Sequence, residues 1–519
     1  MNPVQLSIFA NRLSGICDEM GAVLRLSALS PNIKDRLDFS CAIFDARGQL
    51  CAQAAHIPVH LGSMAYAMAD LVTGRDWQPG DLLVVNDPYL GGTHLPDVTV
   101  VAPVFHGASL IGFSVTRAHH ANIGAHSPGS MPVSTSLEEE GIVIAPAWLK
   151  RAGVWQIPLC RHLAGLDAGG DDRALPEENR RFADFAAQAS ACEAGARRLA
   201  ELAGQQADLV AAFDALNNYG EKRARARIGS LPDGCYRFHD YMDDDGQGQQ
   251  DIRIAVTLTI AGERASLDFT GTADQVTGNI NCPLSVAAAA VYYCFRCLMD
   301  DDVPACAGLF RPISLSAPAG SLLNARRPAA VAAGNVETSS RVVDVVLGAL
   351  AQAAPQAIPA ASQGTMNNVA MGAAGEDGWD YYETMAGGTG AHAGGPGLSA
   401  VHSHMTNTLN TPIESLESHY PLRVHRYQLR RGSGGEGRFV GGDGLVRELE
   451  FLADAQVTLL TERRRYAPWG LAGGQDGAVG ENRHNGKLLP PKTSFTARSG
   501  DRLEVASPGG GGYCDTKCK

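Results

Sequence analysis

Apolar positions recur at helical spacing over residues 4 to 30, "VQLSIFANRLSGICDEMGAVLRLSALS", and predict an opening amphipathic helix. In "DFSCAIFDARGQLCAQ" two short apolar runs flank the turn "DARG", the pattern of a hairpin. "GSMAYAMADLVTG" returns to helical spacing and is expected to stop at Gly74. "GDLLVVND" reads as a strand ahead of a glycine-rich loop. "VTVVAPVF" and "SLIGFSVT" are two more strands, reversed at "HGA" over residues 106 to 108.

From about 175 to 228 the pattern turns helical and charged, rich in Ala, Leu, Glu, Arg and Gln, which predicts a helix pair joining two strand-rich regions. "DIRIAVTLTIAGERASLDFTGT" alternates as strands about a turn near Gly262. "PLSVAAAAVYYCFRCLM" and "SSRVVDVVLGALAQA" read as buried helices. The last 130 residues combine glycine with strand-formers, and the terminal "GDRLEVASPGGGGYCDTKCK" reads as an ordered turn or tail, not a phosphate loop. The expected class is α+β in several interlocked parts: residues 1–170 an α+β region, 171–230 a helical connector, 231–360 an α+β middle region, and 361–519 a glycine-rich, β-dominated region.

Composition narrows the function. The 519 residues, 45% hydrophobic and 19% charged, allow a large buried core. The formal charge of −12, with no long basic block, argues against nucleic-acid binding, because that requires clustered Lys and Arg. No stretch is apolar for long enough to span a membrane, and the N-terminus lacks the pattern of an export signal, so a cytoplasmic location is expected. Twelve cysteines in such a chain read as reduced thiols. Cys294, Cys297, Cys514 and Cys518 have the spacing of a four-thiolate zinc site, but the first pair sits in an apolar helical run where buried cysteines are common. No Walker-type or dinucleotide fingerprint occurs.

The chemistry concentrates at "GGTHLPDVTVVAPVF" and "TRAHHANIG". Folding the two strands about Gly107 sets residue 97 near 117 and residue 95 near 119, at roughly 4.5–5.5 Å between Cβ atoms. His119 therefore returns to the end of the hairpin that carries His94 and Asp97. Alternation sends His119 and His120 to opposite faces, so one of them points at the site. Two imidazoles and a carboxylate suit zinc, manganese or iron with positions left open. Asp38 ranks first as a fourth ligand, ahead of Asp87. His56 and His60 in "HIPVH" have i, i+4 spacing, but Pro58 between them argues against a regular helix. Glu138 to Glu140 offer a general base, or simply a solvated turn.

The chain resembles the hydantoinase B/oxoprolinase family over essentially its whole length. The resemblance is carried by "DRLDFSCAIFD", "HIPVHLGSM", "GDLLVVNDPYLGGTHLPDVTVVAPVF", "HHANIGAHSPGSMP", "EEEGIVI", "GNVETSSRVVDVVLGAL", "HMTNTLNTPIE", "FVGGDGLVRE" and "SPGGGGY". That family includes subunits of ATP-dependent N-methylhydantoin hydrolases, 5-oxoprolinases and lactamases, and of acetone and acetophenone carboxylases. The resemblance implies a hydantoinase A-type partner with an actin-like fold that binds ATP and Mg and phosphorylates a small cyclic amide, within a hetero-oligomer. It also implies a divalent metal on the His-x-x-Asp pair and later histidine that match His94, Asp97 and His119. Many relatives carry an aspartate after "HHA", where this chain has Asn122. The expected activity is the hydrolytic step that opens a hydantoin, 5-oxoproline or another lactam. His120 or His60 would shuttle the proton, and the amides of Gly387 and Gly388 would hold the oxyanion. A ketone carboxylase subunit and a non-catalytic scaffold for the ATPase subunit are the alternatives.

Overall fold

The computed structural model describes residues 1–54, 57–166, 174–176, 178–206, 208–375 and 378–514. Its helices are α1 (Pro3–Ser27), α2 (Pro31–Lys34), α3 (Pro58–Val72), α4 (Ile157–Leu163), α5 (Arg180–Gln205), α6 (Leu209–Ile228), α7 (Leu284–Cys297), α8 (Ser339–Ala353) and α9 (Ile413–His419). Asn2 caps α1 through the backbone N–H of Gln5, whose side chain accepts from the Asn2 N–H in return, so the first turn is closed from both sides.

The first sheet joins β1 (Phe39–Asp45), β2 (Leu50–Gln53), β3 (Leu82–Val85), β4 (Asp97–His106), β5 (Ser109–His119), β6 (Ala147–Arg151) and β7 (Val154–Trp155), in the order β2-β1-β5-β4-β3-β6-β7. Both faces are covered. Helix α5 crosses one face, with Phe182, Phe185 and Cys192 packed among Val98, Val100 and Ala102. Helix α3 covers the other, where Met64, Met68 and Leu71 meet Phe44, Val101 and Val115. This double burial explains why the central strands read as continuous apolar runs. It also makes α5 a layer of this first sheet as well as a link to later segments.

A second sheet, β11 (Ile313–Ser316), β10 (Arg264–Asp268), β9 (Gln250–Ala261) and β8 (Gly234–Asp244) in that order, packs against α8. A third contains β12 (Asn368–Ala373), β13 (Trp379–Glu383), β16 (Ala455–Leu460) and β19 (Lys492–Ala497), ordered β13-β12-β16-β19. The fourth contains β14 (Leu422–Arg430), β15 (Gly444–Phe451), β17 (Glu481–His484), β18 (Lys487–Leu488) and β20 (Arg502–Ala506), ordered β14-β15-β20-β17-β18. The class is thus the expected α+β. Among the described residues no helix is long and apolar enough to cross a membrane.

The "SPGGGG" run is woven into the interior. Gly510 N–H donates to Gly442 O, Gly511 N–H to Ala361 O, and Gly435 N–H to Gly510 O. One sequence expectation changes here. Pro58 does not break a helix; it sits in the first turn of α3, where a missing N–H costs nothing, and so puts His60 on a helix. Cys294 is buried in α7 with its thiol toward Val343 O, Cys297 is exposed, and Cys518 and His56 lie outside the described residues.

Candidate metal centre

The centre forms where the β4–β5 hairpin opens. Asp97 begins β4, His119 ends β5, and the two stand directly opposite. A simple reversal about Gly107 would have set Asp97 against residue 117. The turn instead pairs His106 with Ser109, and a register shift follows between Val104 and Phe105; each moves the pairing by one. Because the total offset is even, the face does not change. That face is the one toward α3: Arg117, on it, donates to Thr99 Oγ1 (2.8 Å) and to Ser63 Oγ of α3 (2.6 Å). His94 arrives from the preceding loop. Asn86 Nδ2 holds this loop through Leu95 O (2.8 Å), and Arg117 holds it through Gly91 O (2.9 Å).

Three side chains converge. His94 Nε2 lies 3.1 Å from Asp97 Oδ1, and His119 Nδ1 lies 3.2 Å from the same oxygen. One ligand atom from each of the three falls within 4.8 Å of the others, and all three residues are buried. The second oxygen, Oδ2, is fully engaged: it accepts from Thr93 Oγ1 (2.8 Å) and Asn335 Nδ2 (3.1 Å), with His60 Nε2 at 3.1 Å. Oδ1 is the oxygen that faces the two imidazoles, and His119 Nδ1 is its hydrogen-bond partner.

The donor chemistry fits a divalent cation. His94 Nδ1 is 3.2 Å from Ala332 O, a carbonyl that only accepts, so Nδ1 carries the proton. The Nε2 lone pair then faces a carboxylate oxygen, and that buried Nε2 has no hydrogen-bond partner. His119 Nε2 is also buried without a partner. Burial pushes the Asp97 pKa up, but His60, His94 and the His119 hydrogen bond outweigh it and hold Asp97 well below the usual carboxylate range. Burial lowers His119, as a neutral ligand requires. For His94 burial also lowers, but Asp97 reverses it and favours the proton that a cation would displace.

Beside the cluster is a cavity of about 20 Å³, space for one water, lined by Asp38, His60, Asn335, Met366, Tyr382 and Met405 among others. Tyr382 stacks on His119 with ring centroids 4.7 Å apart. Asp38 stands in this wall, 4.0 Å from His60 Nε2 and outside the three-residue cluster. The structure does not put the remaining candidates here. His120 faces α5, with Nε2 2.8 Å from Gln188 Oε1 and its ring on Phe185, because it falls on the other side of the sheet. The Gly387 and Gly388 N–H groups are spent on Val401 O and Pro508 O, so neither is free for an oxyanion. Asp87 caps the turn at Tyr89 and pairs with Arg327. Glu140 is wholly buried and accepts from Ser134 Oγ and from the N–H groups of Val331 and Ala332, so it braces the segment that holds His94. Asn122 bonds Asp380 and Arg181 away from the cluster.

Sequence reasoning missed Thr93, Asn335 and Tyr382. Thr93 adjoins a named ligand, and Asn335 lies in a quoted motif, "GNVETSS". Tyr382 carries no local signal.

Fold and cluster define a multi-sheet α+β protein with a buried His–Asp–His set at a hairpin mouth. The hydantoinase B/oxoprolinase family profile matches residues 2–516, and the chain belongs to that family. It is 39% identical over 540 residues to 5-oxoprolinase 1 of Arabidopsis thaliana, covering 98% of this chain and 42% of that protein. It is 36% identical over 549 residues to a putative D-/L-hydantoinase component from Pseudomonas sp. (strain NS671), covering 99% of this chain and 90% of that one. The chain thus spans about two fifths of the 5-oxoprolinases it matches and nearly all of the hydantoinase component. Its structure superposes on the ATP-dependent caprolactamase from Pseudomonas jessenii with a TM-score of 0.89 at 28% identity, covering 99% and 91% of the two chains. Acetone carboxylase shares the fold, with a TM-score of 0.85 at 18% identity over 99% and 76%.

Proposed function

We propose that the chain is the hydrolytic subunit of an ATP-dependent cyclic amidohydrolase. It would open a hydantoin, 5-oxoproline or another lactam after a hydantoinase A-type, actin-like partner has phosphorylated it with ATP and Mg. The observation that carries this reading is the convergence of buried His94, Asp97 and His119 beside a water-sized cavity that Asp97 and His119 line. The names of the relatives and the 28% identical caprolactamase support the substrate class. A zinc, manganese or iron ion in the cluster would supply Lewis acidity at the cavity.

The chain's own residues do the rest. Thr93, Asn335 and His60 fix the Asp97 carboxylate so that Oδ1 faces the two imidazoles. His60 is the side chain placed to pass a proton at the cavity: Nε2 points to Asp97 and Nδ1 lies 3.4 Å from Ser40 Oγ. Asp38 gives the cavity a second carboxylate within reach of His60. Apolar walls at Ile57, Val59 and Val336 exclude bulk water, which protects a phosphorylated amide from loss to solvent.

The test is reconstitution. The isolated chain should split no ATP, and with an actin-like ATPase subunit it should couple ATP to ring opening. His94→Ala should abolish opening while the complex stays assembled. ATP hydrolysis by the chain alone, or ATP-dependent consumption of bicarbonate and a ketone in place of ring opening, contradicts the proposal.

A further inference from the structure

Asn335 is held in one orientation by chemistry, and that orientation leaves an acceptor bare. A carboxylate can only accept, so the Asn335 group 3.1 Å from Asp97 Oδ2 must be the amide NH₂. The side-chain carbonyl, Oδ1, is thereby turned the other way. It is buried, it has no hydrogen-bond partner, and Asn335 lines the cavity beside the cluster. Buried amide oxygens are normally satisfied, so a bare one in a cavity wall marks a place where a donor belongs.

The backbone that presents Asn335 is unusual. Gly334–Thr338 is a turn of π-helix at the head of α8, a distortion that recurs at functional sites. A Cβ at Gly334 would stand 1.8 Å from Asn281 O, so the turn is locked against its neighbour. Asn281 in turn donates to Val276 O, Gly278 O and Ala330 O, which ties that neighbour to three other backbone points. Asn335 Oδ1 is thus a fixed acceptor rather than an adaptable one. The cavity around it mixes apolar groups from Ile57, Val336, Met366 and Met405 with the ionisable groups of Asp38, His60, Asp97 and His119 and the hydroxyl-bearing side chains of Tyr382, Thr384, Thr406 and Thr408.

We infer that Asn335 Oδ1 is the specificity-determining acceptor for the N–H that the scissile ring nitrogen carries as the ring opens, so that the site selects cyclic amides bearing hydrogen on that nitrogen. The inference rests on the cyclic-amide reading above. Phosphorylation of a lactam takes the proton of its ring nitrogen; that nitrogen regains a proton in order to leave, and the N–H it then carries, beside the reacting carbon, matches one bare acceptor next to the cluster. A ketone offers no donor and leaves Oδ1 unsatisfied. The cavity has room for one water, so the ring enters as Met366 and Met405 shift; both are unbranched side chains that re-pack readily. A site built to bond a substrate N–H rejects analogues lacking it because its own buried acceptor is then stranded.

The experiment uses the metal-loaded complex with its ATPase subunit and compares kcat/KM for 2-pyrrolidinone, 2-piperidone, caprolactam and hydantoin with their N-methyl counterparts, the methyl on the scissile nitrogen. In Asn335→Ala, kcat/KM for the N–H ring opened best should fall by roughly 10- to 100-fold. The N-methyl counterpart, which loses only the support of Asp97, should slow by much less, so the preference for N–H collapses. Both proteins are assayed with metal at saturation and their metal content is measured alongside, because Asn335→Ala also removes a donor to Asp97 Oδ2. Thr93→Val serves as the control: it removes another donor to Asp97 Oδ2 and should leave the N–H preference intact. If Asn335→Ala slows both members of a pair equally, Oδ1 holds the attacking water or merely positions Asp97, and the inference is overturned. An N–H preference unchanged in Asn335→Ala also overturns it, locating discrimination on the partner subunit. Failure of the wild-type complex to open any N–H ring would instead remove the proposed function, and the inference with it.

Discussion

The two oxygens of Asp97 have separate tasks. Oδ2 is tied to Thr93, Asn335 and His60, which leaves Oδ1 to face two imidazoles. Such outer contacts set the angle of a ligand, and their loss typically costs about 10- to 100-fold in metal affinity. Thr93→Val should therefore weaken zinc binding by about that factor in a chelator competition, with the fold unchanged. An unchanged affinity would mean that the hydroxyl does not orient Asp97. At this scale the sequence is informative where local rules apply. His94, Asp97 and His119 follow from a hairpin and its alternation. His120 falls outside because of the same alternation. Gly387 and Gly388 mislead because glycine marks both exposed amides and crowded interiors; here a Cβ at Gly388 would meet Gly442 O at 1.9 Å.

Among the elements, α3 shows how a secondary-structure rule can be read the wrong way. Pro58 looks like a breaker in mid-segment and is in fact the start of the helix. What fixes α3 against α7 is Gly62, whose missing side chain lets the two backbones touch: a Cβ there would stand 2.6 Å from Ala289 Cα. Gly62→Val should force the helices apart at a cost of about 1–3 kcal/mol and pull His60 from Asp97. Denaturant unfolding followed by tryptophan fluorescence reads the first effect; a midpoint equal to that of the wild type would refute the close crossing. The β4–β5 register differs by two residues from the simple reversal because a bulge leaves no mark in an apolar run, whereas the face survives because strand geometry has a period of two.

Across the whole molecule, the cavity draws on stretches far apart in the chain. Asp97 and His119 come from the first sheet, His60 from α3, Asn335 from the head of α8, Tyr382 from β13 and Met405 from a loop beyond it. No periodicity reports contacts such as Asn335 to Asp97, which span 238 positions, so the clustering of His94, Asp97 and His119 was legible and its supports were not. The strand-rich ends and the α+β class were legible, since alternation is local. The weave of the terminal glycines through Gly435, Gly442 and Ala361 was not, since only the folded backbone brings those chains together. The same closure that hides the supports keeps bulk water from the cluster, as the proposed step on an activated amide would require.

Metal analysis of the purified chain tests the central claim most directly. After dialysis against metal-free buffer, the wild type should retain about one divalent ion per chain, as one three-ligand site demands. His119→Ala, with an unchanged circular dichroism spectrum, should lose most of it. Equal metal in the two proteins, or a wild-type complex that opens its ring at full rate with no ion bound, would contradict the account.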